Sequence, residues 1–471
     1  MRSAIKNRAV YTAAVVAVAA IATTGGALPT SGVTTANTDV THRQGVLPDG
    51  QEWQISLPDN WNGIVINDLD AVGNVESMTP TVQYFLDNGF AYTGTRRHPD
   101  RSYNWDPRAE SNNMVRVIDI FESEFGEPTK TIQFGCSGGG SVALSVAEDH
   151  PESFDGAIAM HASDPLTLAN VRLDLSFALE ALLDTEDVLP LIIEHGQQSQ
   201  AAAAWQAALE SAAATSEGRA RMALAAVLAQ YPIWGSGEKP DMADEQALQD
   251  AVVDAVMIGV IRAVTGRPMW DQPAGLVSWN AGIDYTKFYN HSNPAHRQIV
   301  KAMYAEAGLA SQDVKRDLTR INAQPRITAT ESGVRYFASR MRDGDAKIPV
   351  LHVSAIGDAS TPPSVMARYE KAIRHQGATA LYRQAFVDAP GHCSENVAEV
   401  AAFVQVMLDR IDNGTWKNST KPSVLNQIGA ESGEGEPRFI KPGRNAGWTL
   451  PTTLDRAFLP GSTFVAADSA Q

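Results

Sequence analysis

The 471-residue chain reads as an α/β protein, a mostly parallel central sheet flanked by helices and interrupted by one long helical insertion. Three observations predict this. Strand-like and helix-like segments alternate from Gln51 to Phe154, the alternation stops between Ser163 and about Asp345, and it resumes from Val350 to Ile411. With 44% hydrophobic and 20% charged residues the chain can bury a large core, and its formal charge of -16 makes nucleic acid and anionic membrane surfaces poor partners.

Taken in order, the first segment is a leader. Arg2, Lys6 and Arg8 precede the apolar run Ala9 to Ala22, which gives way to small residues up to Ala36, the pattern of a secretory signal peptide cleaved after Ala27 or Ala36. The run is shorter than the roughly 20 residues of a spanning helix, so a secreted chain with no stable membrane span after cleavage is expected. Residues 37–162 form the first part of the core, with strands at Trp53 to Leu57, Gly63 to Asn67, Phe90 to Thr95, Thr131 to Gly135 and Asp155 to Met160. Met114, Val117, Ile118 and Phe121 recur at helical spacing and predict a crossover helix packed on the sheet.

Residues 163–345 read as a helical lid. Ala201 to Ala214 is alanine-rich, and Glu245 to Thr265 is apolar on most sides, but its internal charges Asp250, Asp254 and Arg262 argue for a buried or lid-forming helix rather than a membrane span. Residues 346–412 complete the core with strands Val350 to Ser354 and Leu381 to Val387 and helices Ser364 to His375 and Ser394 to Ile411. Residues 413–471 form a C-terminal extension in which Arg438-Phe439-Ile440 and Ala457-Phe458-Leu459 are candidates for docking on the domain.

The strongest local signal is Gly135-Cys136-Ser137-Gly138-Gly139, a Gly-x-Ser-x-Gly turn between a strand and a small-residue helix. Such a turn lifts the Ser137 hydroxyl clear of the backbone and places the Gly138 N–H at a helix start, where it can donate to an oxyanion. A serine hydroxyl needs a base. His392, in Ala389-Pro-Gly-His-Cys-Ser394, follows a predicted strand late in the chain, the place this order of residues requires; His161 is the rival, and a structural or pocket-lining role suits it better. Asp358, in a glycine turn after an apolar strand, is the acid that would orient His392. Asp164 is its alternative, and Asp388 stands too close to His392 in sequence.

Cys136 directly precedes Ser137 and Cys393 directly follows His392, and the chain has no other cysteine. If serine and histidine meet, the cysteines are brought within bridging distance, and an exported protein lets them pair. Cys136-Ser137, Asp358 and His392-Cys393 resemble the CS-D-HC pattern of the tannase and feruloyl esterase family, and the chain is also similar to secreted actinobacterial-type α/β hydrolases. The resemblance implies an α/β-hydrolase fold with a large helical lid inserted between nucleophile and acid, Ser137 as nucleophile, Asp358 as acid, His392 as base, and a Cys136–Cys393 bridge beneath them. Members of that family usually carry further disulfides and often a calcium loop; this chain has neither the cysteines nor, beyond Asp343-Gly-Asp345, an acidic loop.

The second oxyanion donor should come from Asp68-Leu69-Asp70, where Leu69 or Asp70 N–H is the candidate, although two carboxylates beside an oxyanion are unfavourable unless they point away. Arg96 and Arg97 are candidates for binding a substrate carboxylate. Trp234, Trp270, Trp279, Tyr285, Phe288 and Tyr289 are candidates for an apolar pocket, with lid core as their commoner role. No metal-ligand spacing appears and the chemistry requires no cofactor. The expected function is hydrolysis of a small-molecule or oligomeric carboxylic ester through an acyl-enzyme, aromatic-acid esters among them. A peptidase or amidase of the same fold is the alternative, and a non-catalytic binding protein of the fold is the reading from a different class.

Overall fold

The structure, a computed structural model, describes residues 39–98, 106–163, 165–184, 188–194, 196–241, 243–271 and 275–442, without the side chains of 267–271. The expected leader, Asp164, most of the loop after Arg97 and the tail beyond 442, with Ala457-Phe458-Leu459, lie outside the described residues.

The described residues form nine strands: β1 (Val40–Val46), β2 (Glu52–Pro58), β3 (Ile64–Asp68), β4 (Ala91–Thr95), β5 (Lys130–Cys136), β6 (Gly156–Met160), β7 (Val350–Gly357), β8 (Tyr382–Pro390) and β9 (Phe439–Ile440). They make one sheet in the order β1-β2-β4-β3-β5-β6-β7-β8-β9. Strands β3 to β8 pair in parallel, β1 and β2 are antiparallel at one edge, and β9 is antiparallel at the other. The winding reverses at β3, whose neighbours are β4 and β5. In open α/β sheets the loops diverge at such a point and leave a crevice at the carboxyl ends of the strands.

The inner strands are apolar and β-branched because both faces are covered: Val65, Ile66, Ile132, Ile158, Leu351 and Val353 are fully buried. The expected stripe Met114, Val117, Ile118 and Phe121 is the buried face of helix Pro107–Phe125, capped by the Asp106 carboxylate on the Ala109 N–H. The opposite face of the sheet is covered by helix Val397–Asn413, which opens on a capping box between Asn396 and Glu399. Strand β1 is absent from the sequence reading. It is a polar, half-exposed edge strand, so it lacks the apolar alternation that marks the others.

Between β6 and β7 the chain folds into helices, among them Pro165–Leu183, Gln198–Ala213, Ser216–Leu228 and Glu245–Asp271, around a core of their own. Helix Glu245–Asp271 contributes Val252, Val256, Val260 and Val264 to that core, so its apolar surface faces neighbouring helices. Among the described residues no helix is long and apolar enough to cross a membrane. After the second core segment, helix Pro422–Glu431 packs on helix Val397–Asn413, and Phe439–Ile440 joins β8 as the last strand.

Candidate active site

The sequence-predicted residues converge at the carboxyl ends of β3, β5, β6, β7 and β8. Strand β5 ends at Cys136, and Ser137 turns the chain with φ 60° and ψ -116° before helix Gly138–Asp149 begins. This is the left-handed region that side-chain-bearing residues rarely occupy, and it is held by the Ser137 N–H donating to Met160 O at 2.9 Å. The flanking glycines are steric requirements. A Cβ on Gly135 would lie 2.6 Å from the Gly139 carbonyl carbon, and one on Gly140 would lie 2.3 Å from Met160 O. The turn therefore exposes a hydroxyl over the unpaired N–H groups of a helix's first turn, where negative charge is favoured.

Asp358 follows β7 and is fully buried. Its Oδ1 accepts the N–H groups of Ser360 (2.8 Å) and Thr361 (2.9 Å), and its Oδ2 accepts from His392 Nδ1 at 2.7 Å. An imidazole held this way on one nitrogen presents the other as a base. Burial alone would raise the Asp358 carboxyl, but His392 and His161 hold it well below the ordinary carboxylate range. Cys136 and Cys393 are disulfide-bonded with Cα atoms 6.0 Å apart, across 257 positions of sequence. Successive Cα atoms stand about 3.8 Å apart, so the bridge holds the backbones of Ser137 and His392 in one neighbourhood.

The same Asp358 oxygen has a second histidine. His161, one residue past β6 and itself at φ 49°, places Nδ1 2.6 Å from Asp358 Oδ2 and Nε2 2.6 Å from Glu395 Oε1. Its ring packs edge-on against that of His392, centroids 5.1 Å apart. Burial would lower the His161 imidazole, but the charges and hydrogen bonds of Glu395 and Asp358 outweigh it and hold the group up to about 10. Glu395 is absent from the sequence reading. No local motif marks it, because its partner lies 234 positions away.

The loop after β3 carries a correction. The Asp70 N–H donates to Asp68 Oδ1 at 3.1 Å, so it is not free for an oxyanion, and of the two candidate donors only Leu69 stands. Leu69 lies against the helix start: its Cβ is 3.6 Å from the position of a Gly139 Cβ. The two carboxylates are also accounted for. Burial and the nearby charge of Asp70 push Asp68 up to about 7, against the Tyr92 hydroxyl, which donates to it at 2.7 Å. Asp70 is paired bidentately with Arg97, at 2.7 and 2.6 Å. Arg97 in turn stands over the elbow, with Nη2 on Cys136 O at 3.3 Å and Nη1 2.9 Å from where a Gly138 Cβ would be. A cleft of about 560 Å³ runs beside the elbow, lined in part by Asp70, Arg97, Cys136, Cys393 and Glu395.

Other candidates separate here. Arg96 is paired with Glu52 and Glu76, both at 2.6 Å, and lines the same cleft as Arg97. Trp234, Trp279, Tyr285, Phe288 and Tyr289 are buried in the core of the inserted helices, Trp234 donating to Ser236 O. The side chain of Trp270 lies outside the described residues. Asp388 is held by Lys239 at 2.6 Å and does not approach His392 as its acid. Among the described residues two clusters bring potential metal donors together, Cys136 with His161 and Glu395, and His161 with Asp358 and His392. Cys136 is consumed by the disulfide, and the imidazole and carboxylate donors face one another at hydrogen-bond distance, so their chemistry is proton sharing.

The strand order, the strained serine elbow at the switch point and the Asp–His pair beside it define a hydrolase of the α/β-hydrolase fold. Among solved structures the chain is similar to feruloyl esterase B from Aspergillus oryzae (13% identity, 79% of this chain and 80% of that one, TM-score 0.38). It is likewise similar to the tannin acyl hydrolase of Aspergillus niger (14% identity, 82% and 86%, TM-score 0.36). No family model matches. In sequence it is 38% identical over 439 residues to the o-phthalyl amidase of Xanthobacter agilis, across 87% of this chain and 95% of the relative. The chain belongs to the family of that amidase.

Proposed function

We propose that the protein is an exported serine hydrolase that cleaves amides of an aromatic acid bearing a second carboxylate, and the corresponding esters, through an acyl-enzyme on Ser137. The observation that carries the mechanism is the Asp358–His392 hydrogen bond at 2.7 Å, tied by the Cys136–Cys393 bridge to the elbow that presents Ser137. Ser137 Oγ attacks the acyl carbon while His392 takes its proton, and Asp358 stabilises the imidazolium that forms. The oxyanion is received by the Gly138 N–H, with the Leu69 N–H as second donor. His392 returns the proton to the leaving nitrogen or oxygen. Water, activated by the same imidazole, then releases the acid.

The o-phthalyl amidase activity of the relative, together with Arg97 beside Gly138, supports the substrate class. A guanidinium whose Nη1 faces the elbow suits an acyl group with a carboxylate next to the reacting carbonyl. The helices from 165 to 338 act as the lid over this site. Export is supported by the leader sequence and by a disulfide, which persists in oxidising compartments. A matched set of 2-carboxybenzoyl and benzoyl amides and esters tests the reading. The 2-carboxybenzoyl amide should be hydrolysed, at least about 100-fold faster in kcat/KM than the benzoyl amide, the scale of a buried charge-assisted contact. Cleavage of the esters alone would restrict the protein to an esterase, and equal rates with and without the carboxylate would remove Arg97 from substrate recognition.

A further inference from the structure

His161 is flanked on both ring nitrogens by carboxylates at 2.6 Å, Asp358 on Nδ1 and Glu395 on Nε2. A neutral imidazole has one N–H and one lone pair, so one of these contacts would set a lone pair against a carboxylate lone pair. The arrangement is therefore satisfied only with one more proton than neutral histidine and two carboxylates carry. Exposure does not relieve the conflict: the side chains of His161 and Asp358 are 0% exposed and that of Glu395 2%. Glu395 Oε2 has no hydrogen-bond partner among the described residues, which leaves His161 as its side-chain partner.

Resting on the hydrolase reading of Ser137, Asp358 and His392, we propose that His161 is a doubly protonated positioning residue, locked by Glu395, that fixes Asp358 behind His392. Its charge keeps the buried cluster at one net negative charge, the same as a lone acid, while giving Asp358 Oδ2 a second donor that stops the carboxylate from rotating off His392. His352 of β7 also acts on His161; burial holds it neutral against the effect of its contact with Ala162 O, so it does not compete for the proton. The disulfide sulfurs carry no charge, and Arg438, which lies beyond Glu395, is held by Glu399. Glu395 is what retains the second proton on His161, and without it the proton should leave in the neutral range.

The test has two arms. In the resting protein labelled with 15N-histidine, long-range 1H–15N spectra should show His161 with both nitrogens protonated from pH 6 to pH 8.5. A neutral-tautomer pattern at pH 7 would overturn the proposal, and because no substrate is present it would do so without touching the assignment of Ser137. In the second arm, Glu395→Gln should give His161 a titration between about pH 6 and pH 8 and introduce the same ionisation into the kcat/KM profile. The double variant His161→Gln with Glu395→Gln, which leaves no uncompensated carboxylate, should lose about 10- to 100-fold in kcat with KM within about twofold, the scale of one charge-assisted hydrogen bond to the acid. Full kcat in the double variant together with an unchanged profile in Glu395→Gln would show a merely structural pair and contradict the positioning role. If instead Ser137→Ala retains activity, the hydrolase reading fails while the spectra still report on His161.

Discussion

Ser137 is held at φ 60° by the hydrogen bond of its own N–H to Met160 O, and strain of this kind persists where the surrounding structure over-determines it. If that strain serves to present a nucleophile, Ser137→Ala should leave the fold intact and lower kcat by at least about 1,000-fold, as loss of a triad member does elsewhere. Asp358→Asn should cost roughly as much, because an amide that donates to His392 Nδ1 stabilises the wrong tautomer. Circular dichroism alongside steady-state kinetics separates these losses from unfolding. Arg97 poses a different question at the same scale. Its pairing with Asp70 neutralises a carboxylate beside the oxyanion region, so Arg97→Met alone would expose that charge. In the pair Arg97→Met with Asp70→Asn, kcat/KM for a 2-carboxybenzoyl amide should fall about 100-fold relative to a benzoyl amide. Equal losses on both substrates would assign Arg97 to the elbow's architecture instead.

The elements around these residues are set by how closely backbones approach. Gly138→Ala would put a methyl group 2.9 Å from the end of the Arg97 side chain, which can swing away, so activity should fall about tenfold with little change in melting temperature. Gly140→Ala meets the backbone of β6 at 2.3 Å, where nothing can move cheaply, and should destabilise the protein by about 1–3 kcal/mol or more in denaturant titration. The same distinction between local and non-local determinants explains what the sequence made legible. Strands β2 to β8, the crossover helix and the elbow announce themselves through short-range periodicity and glycine spacing, and Cys136 and Cys393, placed beside Ser137 and His392, link the two ends of the site within the sequence itself. The edge strand β1 carried no such pattern. Glu395 and the second bond of Asp358 were illegible for a stronger reason: they join positions 234 and 197 residues apart, and no motif marks His161 or Glu395. The aromatic residues of the insertion were ambiguous in sequence because core and pocket demand the same residue types, and packing resolved those described into core.

Across the whole molecule, buried charge sets the response to pH. Asp358 and Glu395 are held below their ordinary values, in both cases by histidines against the effect of burial, so the stability they contribute is present above the unfolded carboxylate range and is lost as pH falls through and below it. His161 is raised from its ordinary value of 6.5 to about 10, so its contribution is complete below 6.5 and is lost as pH rises towards 10. Asp68, raised to about 7, adds stability that fades between its ordinary value of 3.8 and 7. Thermal melts should accordingly show stability declining from neutral to pH 10, and the double variant His161→Gln with Glu395→Gln should flatten that limb. The disulfide acts on the unfolded chain: closing a loop between residues 257 positions apart contributes up to roughly 5 kcal/mol in the chain-entropy picture. Reduction of the intact protein should lower its melting temperature and release the Ser137 elbow and the His392 loop from each other, with activity falling before secondary structure does. The proposed attack by the hydroxyl of residue 137 is open to direct measurement. The most direct measurement is labelling of the folded protein with a fluorophosphonate followed by peptide mapping. A single adduct on Ser137, lost in His392→Ala, is the predicted result; folded protein that takes no label, or takes it elsewhere, would contradict the account.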